Sequence, residues 1–297
     1  MIDPNLLDRI RTGKGFIAAL DQSGGSTPGA LKGYGIGADD FSNDEEMYGL
    51  IHDMRTRIIT SPSFSGDKVL GAILFERTMD GEADGKPVPQ ALLDRGVLPF
   101  LKVDKGLEES ADGVKLMKPM PELDALLARG KAKEVVGTKM RSVIDLANPA
   151  GIAAIVAQQL EVANQIIDAG LMPIIEPEVS IGSPERGVAE AILLAELTTA
   201  LHAQGEGRKV MLKLTIPTVP DLYAPLVDHP RVARVVALSG GFTRDEACVE
   251  LKKNRGMIAS FSRALLSDLR ADMSDTEFDA VLGAAIDSIC DASTNKA

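Results

Sequence analysis

Short apolar runs alternate along the chain with longer stretches of helical period. The runs fall at residues 16–21, 69–75, 98–104, 135–141, 172–178, 210–216, 232–239 and 257–261. Strands alternating with helices predict a parallel sheet with helical crossovers. Eight such units in 297 residues predict an α/β fold, a (β/α)8 TIM barrel forming a single domain over residues 1–297. A doubly wound open sheet would use the same alternation.

Helix punctuation supports the rhythm. Asn148-Pro149 precedes an apolar face of Ile152, Val156, Leu160 and Ala163, and Gly170 follows; this reads as cap, first-turn proline and terminal glycine. Ser183-Pro184 opens a helix expected to run to about Gln204. Thr243 with Glu246, and Ser274 with Glu277, have capping-box spacing. Residues 24–64 exceed a simple crossover and predict extra structure. Residues 81–89, rich in Gly and Pro, read as a loop.

Composition narrows the classes. With 32 Lys+Arg against 43 Asp+Glu, the net charge is -11. Such a chain has no general attraction for phosphate backbones, so no nucleic-acid partner is expected. No apolar run reaches the ~18 residues of a membrane span, and residues 1–11 lack a signal-peptide core. A cytoplasmic protein with no membrane partner is expected. Cys248 and Cys290 read as reduced thiols, with one disulfide left open. His52, His202 and His229 show no paired ligand spacing, so no metal site is expected.

Strand side chains alternate between faces. Val210, Leu212, Leu214 and Ile216 form an apolar outward set, which turns Met211, Lys213 and Thr215 into the barrel. The same test turns inward Ile174, Glu176 and Glu178; Val135, Gly137, Lys139 and Arg141; Phe100, Lys102 and Asp104; and Ile17, Ala19 and Asp21. Each charge falls near the C-terminal end of its strand, where barrel active sites assemble. A snorkelling lysine or one structural ion pair would explain one strand. Five strands point to a site, because buried charge is costly without compensation.

The residue types suggest chemistry. A free lysine amine has a pKa of about 10.4, and apolar neighbours and other cations both disfavour the ammonium form. An inward lysine such as Lys213 is therefore a candidate amine nucleophile that attacks a ketone. Glu176 could carry protons for it, or serve as counter-ion to Lys139 or Arg141. Ser239-Gly240-Gly241 ends the seventh strand, the usual barrel phosphate site. Ser260 and Arg263 could add a hydroxyl and a guanidinium. Lys102, Lys139 and Arg141 could hold a second phosphate.

Five segments together resemble the class I, Schiff-base fructose-bisphosphate aldolases, over about residues 15–263. Leu101-Lys102-Val103-Asp104-Lys105-Gly106 resembles the family's Ile-Lys-Val-Asp-Lys-Gly, and Glu176-Pro177-Glu178 its Glu-Pro-Glu. Met211-Leu212-Lys213 is similar to the strand of the Schiff-base lysine. Leu238-Ser239-Gly240-Gly241 is similar to the phosphate loop, and 259–265 to Phe-Ser-Tyr-Gly-Arg-Ala-Leu. The resemblance implies that Lys213 forms the imine, Glu176 accepts a proton and Asp21 handles the C4 hydroxyl. It implies that Lys139 and Arg141 position substrate and Lys102 helps hold the sugar. Ser239, Gly240, Gly241, Ser260 and Arg263 would bind phosphate, and Glu178 would orient neighbouring charges. It also implies phosphorylated ketose and triose substrates, no metal and no other cofactor, and it leaves a homo-oligomer open.

Three positions depart from the family. Asp-Glu-Ser becomes Asp21-Gln22-Ser23, and Lys-Trp-Arg becomes Lys139-Met140-Arg141. The C-terminal tyrosine of the animal-type enzymes has no counterpart, since the last tyrosine is Tyr223; the shorter bacterial branch is nearer. Competing readings are a Schiff-base aldolase for another sugar phosphate, a metal-dependent aldolase, and a non-catalytic phosphate binder.

Overall fold

A computed structural model describes residues 2–297. Eight parallel strands follow one another around a barrel in sequence order. They are β1 (Phe16–Leu20), β2 (Val69–Leu74), β3 (Leu98–Lys102), β4 (Gly137–Ile144), β5 (Met172–Val179), β6 (Val210–Thr215), β7 (Val232–Leu238) and β8 (Ile258–Ala259). The ring closes where the Ala19 N–H donates to the Phe261 carbonyl at 3.0 Å.

Strands buried on both faces make two cores. The outward set, including Val210, Leu212, Leu214 and Ile216, packs against the helices. The inward set forms a separate cluster at the N-terminal end of the barrel, including Ile17, Phe100, Ile174, Met211 and Val236. Phe100 fills that end because its neighbours are glycines. A Cβ on Gly71 would lie 2.9 Å from its ring, and one on Gly137 would lie 2.7 Å away. The helix Pro4–Thr12, capped by Asp3, plugs the same end with Ile10. Above this floor the inward positions carry charge.

All eight expected strands form, with one shift. Residues 135–141 become Gly137–Ile144, and Val135 joins the outer core rather than facing inward. Glu134, at φ +62°, turns the chain there, and the Val135 N–H returns to the Gly130 carbonyl at 3.0 Å. Asn148 caps the helix Pro149–Asp168 as expected. Thr243 and Glu246 form their capping box, and the Ser274 side chain accepts the Glu277 N–H. The helix expected from Ser183 is Arg186–His202; Ser183 instead shapes the preceding turn, its Oγ accepting the Glu185 N–H at 3.3 Å. Residues 24–64 hold two 3-10 turns, Gly24–Ser26 and Ala38–Asp40, and the helices Thr27–Tyr34 and Asp44–Thr60. Within 81–89 the expected loop is a short hairpin, Glu82–Ala83 against Lys86–Pro87. Cys248 and Cys290 are both free. Among the described residues no helix is long and apolar enough to cross a membrane.

Candidate active site

The C-terminal ends of the strands open into a cavity of about 870 Å3. Asp21 follows β1, Lys102 ends β3, Lys139 and Arg141 lie on β4, Glu176 and Glu178 on β5, and Lys213 on β6. All of these line the cavity, together with Ser239, Gly240, Ser260 and Arg263. Gly241 does not line it. Its N–H turns back to the Ser239 carbonyl at 2.7 Å, so that amide is not free for an anion.

Four side chains form a continuous chain of charge. Lys213 Nζ lies 3.0 Å from Glu176 Oε1. Glu176 Oε2 lies 2.9 Å from Lys139 Nζ, which lies 2.6 Å from Asp21 Oδ2. Burial alone would raise the two carboxyls and lower the Lys139 amine. The opposite charges win. Lys139 and Lys213 hold Asp21 and Glu176 below the usual carboxylate range, while Asp21 and Glu176 hold Lys139 above the usual amine range. The carboxylates and Lys139 are therefore charged at neutral pH. The arrangement pairs an amine with an ionised proton acceptor inside a shielded pocket.

Two further pairs flank it. Lys102 Nζ contacts its own loop, at 2.7 Å from Asp104 Oδ1 and 2.8 Å from the Asp104 carbonyl. Arg141 pairs with Glu178, its side chain 42% exposed. Across the mouth, Gly240 sits at φ +62°, and Arg263 Nη2 lies beside Gly241, 3.7 Å from where a Cβ would stand. Ser260 Oγ and Asp104 Oδ2 are buried without a hydrogen-bond partner, each at the cavity wall. Unpaired buried polar atoms of this kind favour a polar ligand.

The scaffold adds supporting contacts, and those of Gln159 and Arg55 lie outside the reach of strand alternation. The β5 amides at Met172 and Ser180 bond to β4-side carbonyls, at 3.1 and 2.9 Å. Odd-numbered β5 positions therefore face β6, and two of them are Pro173 and Pro177, which have no N–H. Pairing of β5 with β6 accordingly stops at Ile175↔Leu212. Thr215 Oγ1 spans the gap to the Val179 carbonyl at 2.6 Å. Gln159 is wholly buried; it accepts the Glu176 N–H at 2.8 Å and donates to Ser142 Oγ at 3.0 Å. Its signal was a polar residue on the apolar face of its helix. Arg55 carries the same signal among Ile51, Met54 and Ile58. Its buried guanidinium holds Thr78 Oγ1 at 2.8 Å and Gln22 Oε1 at 3.2 Å. Burial pushes Arg55 down to about 10, against the field of Asp21. The small face of Thr27–Tyr34, with Gly29 and Gly33, completes the wall.

The family model "Fructose-bisphosphate aldolase class-I" matches residues 7–216. The chain belongs to the class-I fructose-bisphosphate aldolase family. The matched residues carry every charged group from Asp21 to Lys213, whereas Ser239, Gly240, Ser260 and Arg263 lie beyond them. Class-I aldolases are carbon–carbon lyases that work through a Schiff base without a metal. The fold agrees. A fructose-bisphosphate aldolase from Plasmodium falciparum superposes with a TM-score of 0.76 at 21% identity, over 100% of this chain and 97% of that one. A protein from Corynebacterium glutamicum superposes with a TM-score of 0.56 at 16% identity, over 99% of this chain and 98% of that one. Among the described residues no three His, Cys, Asp or Glu side chains are grouped to hold a metal ion. Tyr223, the last tyrosine, is wholly buried beside Glu190 and does not line this aldolase cavity.

Proposed function

We propose that this chain, as one aldolase domain over residues 1–297, reversibly cleaves fructose 1,6-bisphosphate to dihydroxyacetone phosphate and glyceraldehyde 3-phosphate. The observation that carries the reading is Lys213 Nζ 3.0 Å from Glu176, itself tied through Lys139 to Asp21. Glu176 takes a proton from Lys213, and the freed amine attacks the C2 carbonyl. The carbinolamine loses water, with Glu176 returning the proton to the departing hydroxyl, and an iminium remains. Asp21 removes the C4 hydroxyl proton. The C3–C4 bond breaks, its electron pair flows into the iminium, and glyceraldehyde 3-phosphate leaves an enamine on Lys213. Protonation at C3 and hydrolysis release dihydroxyacetone phosphate.

In this reading Lys139 keeps both carboxylates ionised and polarises the substrate oxygens. Ser239, Gly240, Ser260 and Arg263 take the C1 phosphate, with Gly241 shaping the turn. Lys102 and Arg141 hold the sugar and its far phosphate, and Glu178 aims Arg141. A cavity of about 870 Å3 suits a small-molecule ligand. The chain is read as a cytoplasmic enzyme of sugar-phosphate metabolism, on the glycolytic reaction, nearest the bacterial branch of its family. It needs neither metal nor other cofactor and has no nucleic-acid or membrane partner.

Incubation with dihydroxyacetone phosphate and borohydride, followed by peptide mapping, tests the mechanism. A reduced adduct on Lys213, absent in Lys213→Met, is expected, with turnover retained in chelator. Active, folded protein that yields no adduct sinks the mechanism. Faster turnover of tagatose 1,6-bisphosphate or fructose 1-phosphate would reassign the substrate.

A further inference from the structure

The opposite, N-terminal end of the barrel holds a second cavity, of about 630 Å3. Arg11, Lys209, His229 and Arg234 line it, with Asp228 the one carboxylate among its lining residues. Asp228 is committed elsewhere: its oxygens take the Arg255 guanidinium at 3.1 and 2.5 Å. Arg231 adds a further cation close enough to act on both Lys209 and His229.

Among the described residues, no carboxylate comes within 4.0 Å of Arg11, Lys209, Arg231 or Arg234. Their hydrogen bonds end on neutral carbonyls instead. Lys209 donates to Pro230 at 2.6 Å, Arg231 to Gln204 at 3.3 Å, and Arg234 to Gly13 at 3.0 Å and to Arg11. A carbonyl answers a hydrogen bond but does not cancel a charge. The helices Pro4–Thr12 and Arg186–His202 end at this face, and their negative ends offset part of the charge. That partial charge is fixed and small beside four cations.

Two N–H groups are also left over. Arg234 Nε and His229 Nε2 are buried without a partner. His229 Nδ1 accepts the Arg231 N–H at 3.2 Å, which assigns the ring proton to Nε2. Crowding disfavours the charged forms of two of these groups. Burial pushes the Lys209 amine down, and Arg11 and Arg231 push it further. Burial, His202 and Arg231 do the same to His229. In a chain of net charge -11, this is a local excess of positive charge around an open cavity, and it attracts anions.

We propose that this cavity is a binding site for a small phosphate-bearing anion, separate from the site at the C-terminal ends of the strands. Lys209 and Arg11 supply the charge, and Arg234 and His229 supply directed N–H groups. The volume falls in the range of small-molecule pockets. The proposal does not depend on the sugar cleaved at the other end.

Histidine spectra provide the test, because the chain has three histidines. His229 lines the cavity and His202 stacks edge-on against it at 4.7 Å between centroids. His52 is the control, with Nε2 3.0 Å from the Glu82 carbonyl. Inorganic phosphate is titrated into the full chain at fixed pH and ionic strength while the imidazole resonances are followed by NMR. Saturable shifts of His229 and His202, with His52 unmoved, are expected. They should persist in Arg263→Ala, which removes a phosphate ligand of the other site. They should weaken about tenfold or more in Arg11→Met/Lys209→Met. Glycerol 3-phosphate as a second probe separates the sources: a lower midpoint than inorganic phosphate assigns the site to esters, a higher one to the free ion. Shifts that fail to saturate, that chloride reproduces, or that survive unchanged in the folded double variant overturn the proposal.

Discussion

Asp21 and Lys139 meet across the barrel interior, carboxylate oxygen to ammonium nitrogen at 2.6 Å, with side chains 9% and 4% exposed. Each needs the other to stay charged there, which ties the state of the site to pH. Asp21 and Glu176 are depressed below their unfolded values of 3.8 and 4.5. Their stabilisation is complete above those values and is lost as pH falls toward the folded ones. Lys139 is raised above 10.5, so its contribution is complete below that value and is lost only as pH rises through the folded one. The urea midpoint should hold level from about pH 6 to 9 and fall below about pH 4.5. Lys139→Met should make the acid limb shallower. A wild-type midpoint that rises between about pH 5 and 3 contradicts this assignment.

Gln22 stands where the family has glutamate, and the structure gives the amide a task. Its Nε2 donates to Ser262 Oγ at 2.6 Å and to the Ala19 carbonyl at 3.2 Å, while Oε1 accepts from Arg55. A carboxylate cannot donate either bond and would set oxygen against oxygen at Ala19. Gln22→Glu should shift the segment bearing Ser260 and Arg263 and raise KM for the bisphosphate by about five- to tenfold. The new charge beside Arg55 should keep Tm close to wild type. An unchanged KM would make residue 22 interchangeable.

Glu176→Gln keeps the shape and the Gln159 contact but cannot accept a proton from Lys213. Turnover should fall by about 10²–10⁴-fold, with KM changed far less. Borohydride trapping should slow in parallel. Wild-type turnover in this variant would leave Glu176 a counter-ion only.

Gly240 is held at φ +62°, and a Cβ there would come 2.5 Å from Ile181 Cγ2. Gly240→Ala should cost about 1–2 kcal/mol for the left-handed backbone alone, and more once Ile181 must move. Thermal unfolding measures the first effect. A raised KM would show that the turn also shapes the phosphate end.

Strand positions were legible because parallel barrel strands are continuous apolar runs, and register followed from the fully apolar outward set on β6. That parity turned Asp21, Lys102, Lys139, Glu176 and Lys213 into one cavity. It failed at Val135, because the turn at Glu134 interrupts the alternation before β4 begins. The hairpin at 82–87 is too short for any period to mark. Gln159 and Arg55 escaped for another reason: they act through backbone and neighbours from helices, where strand alternation carries no information. Gly241 resembled a phosphate ligand by sequence, but a tight turn spends its amide on Ser239.

The seam between β1 and β8 has a consequence for the order in which the molecule is made. Across this seam Ala19 bonds Phe261 and Gln22 bonds Ser262, and Gln22 and Ser262 are 240 residues apart. A chain leaving the ribosome carries Asp21, Lys139, Glu176 and Lys213 well before it carries the staves that shut the barrel. Contacts of such long range form late, after the cost of closing the intervening loop. Lys213 therefore gains its shielded surroundings in the same event that completes the wall.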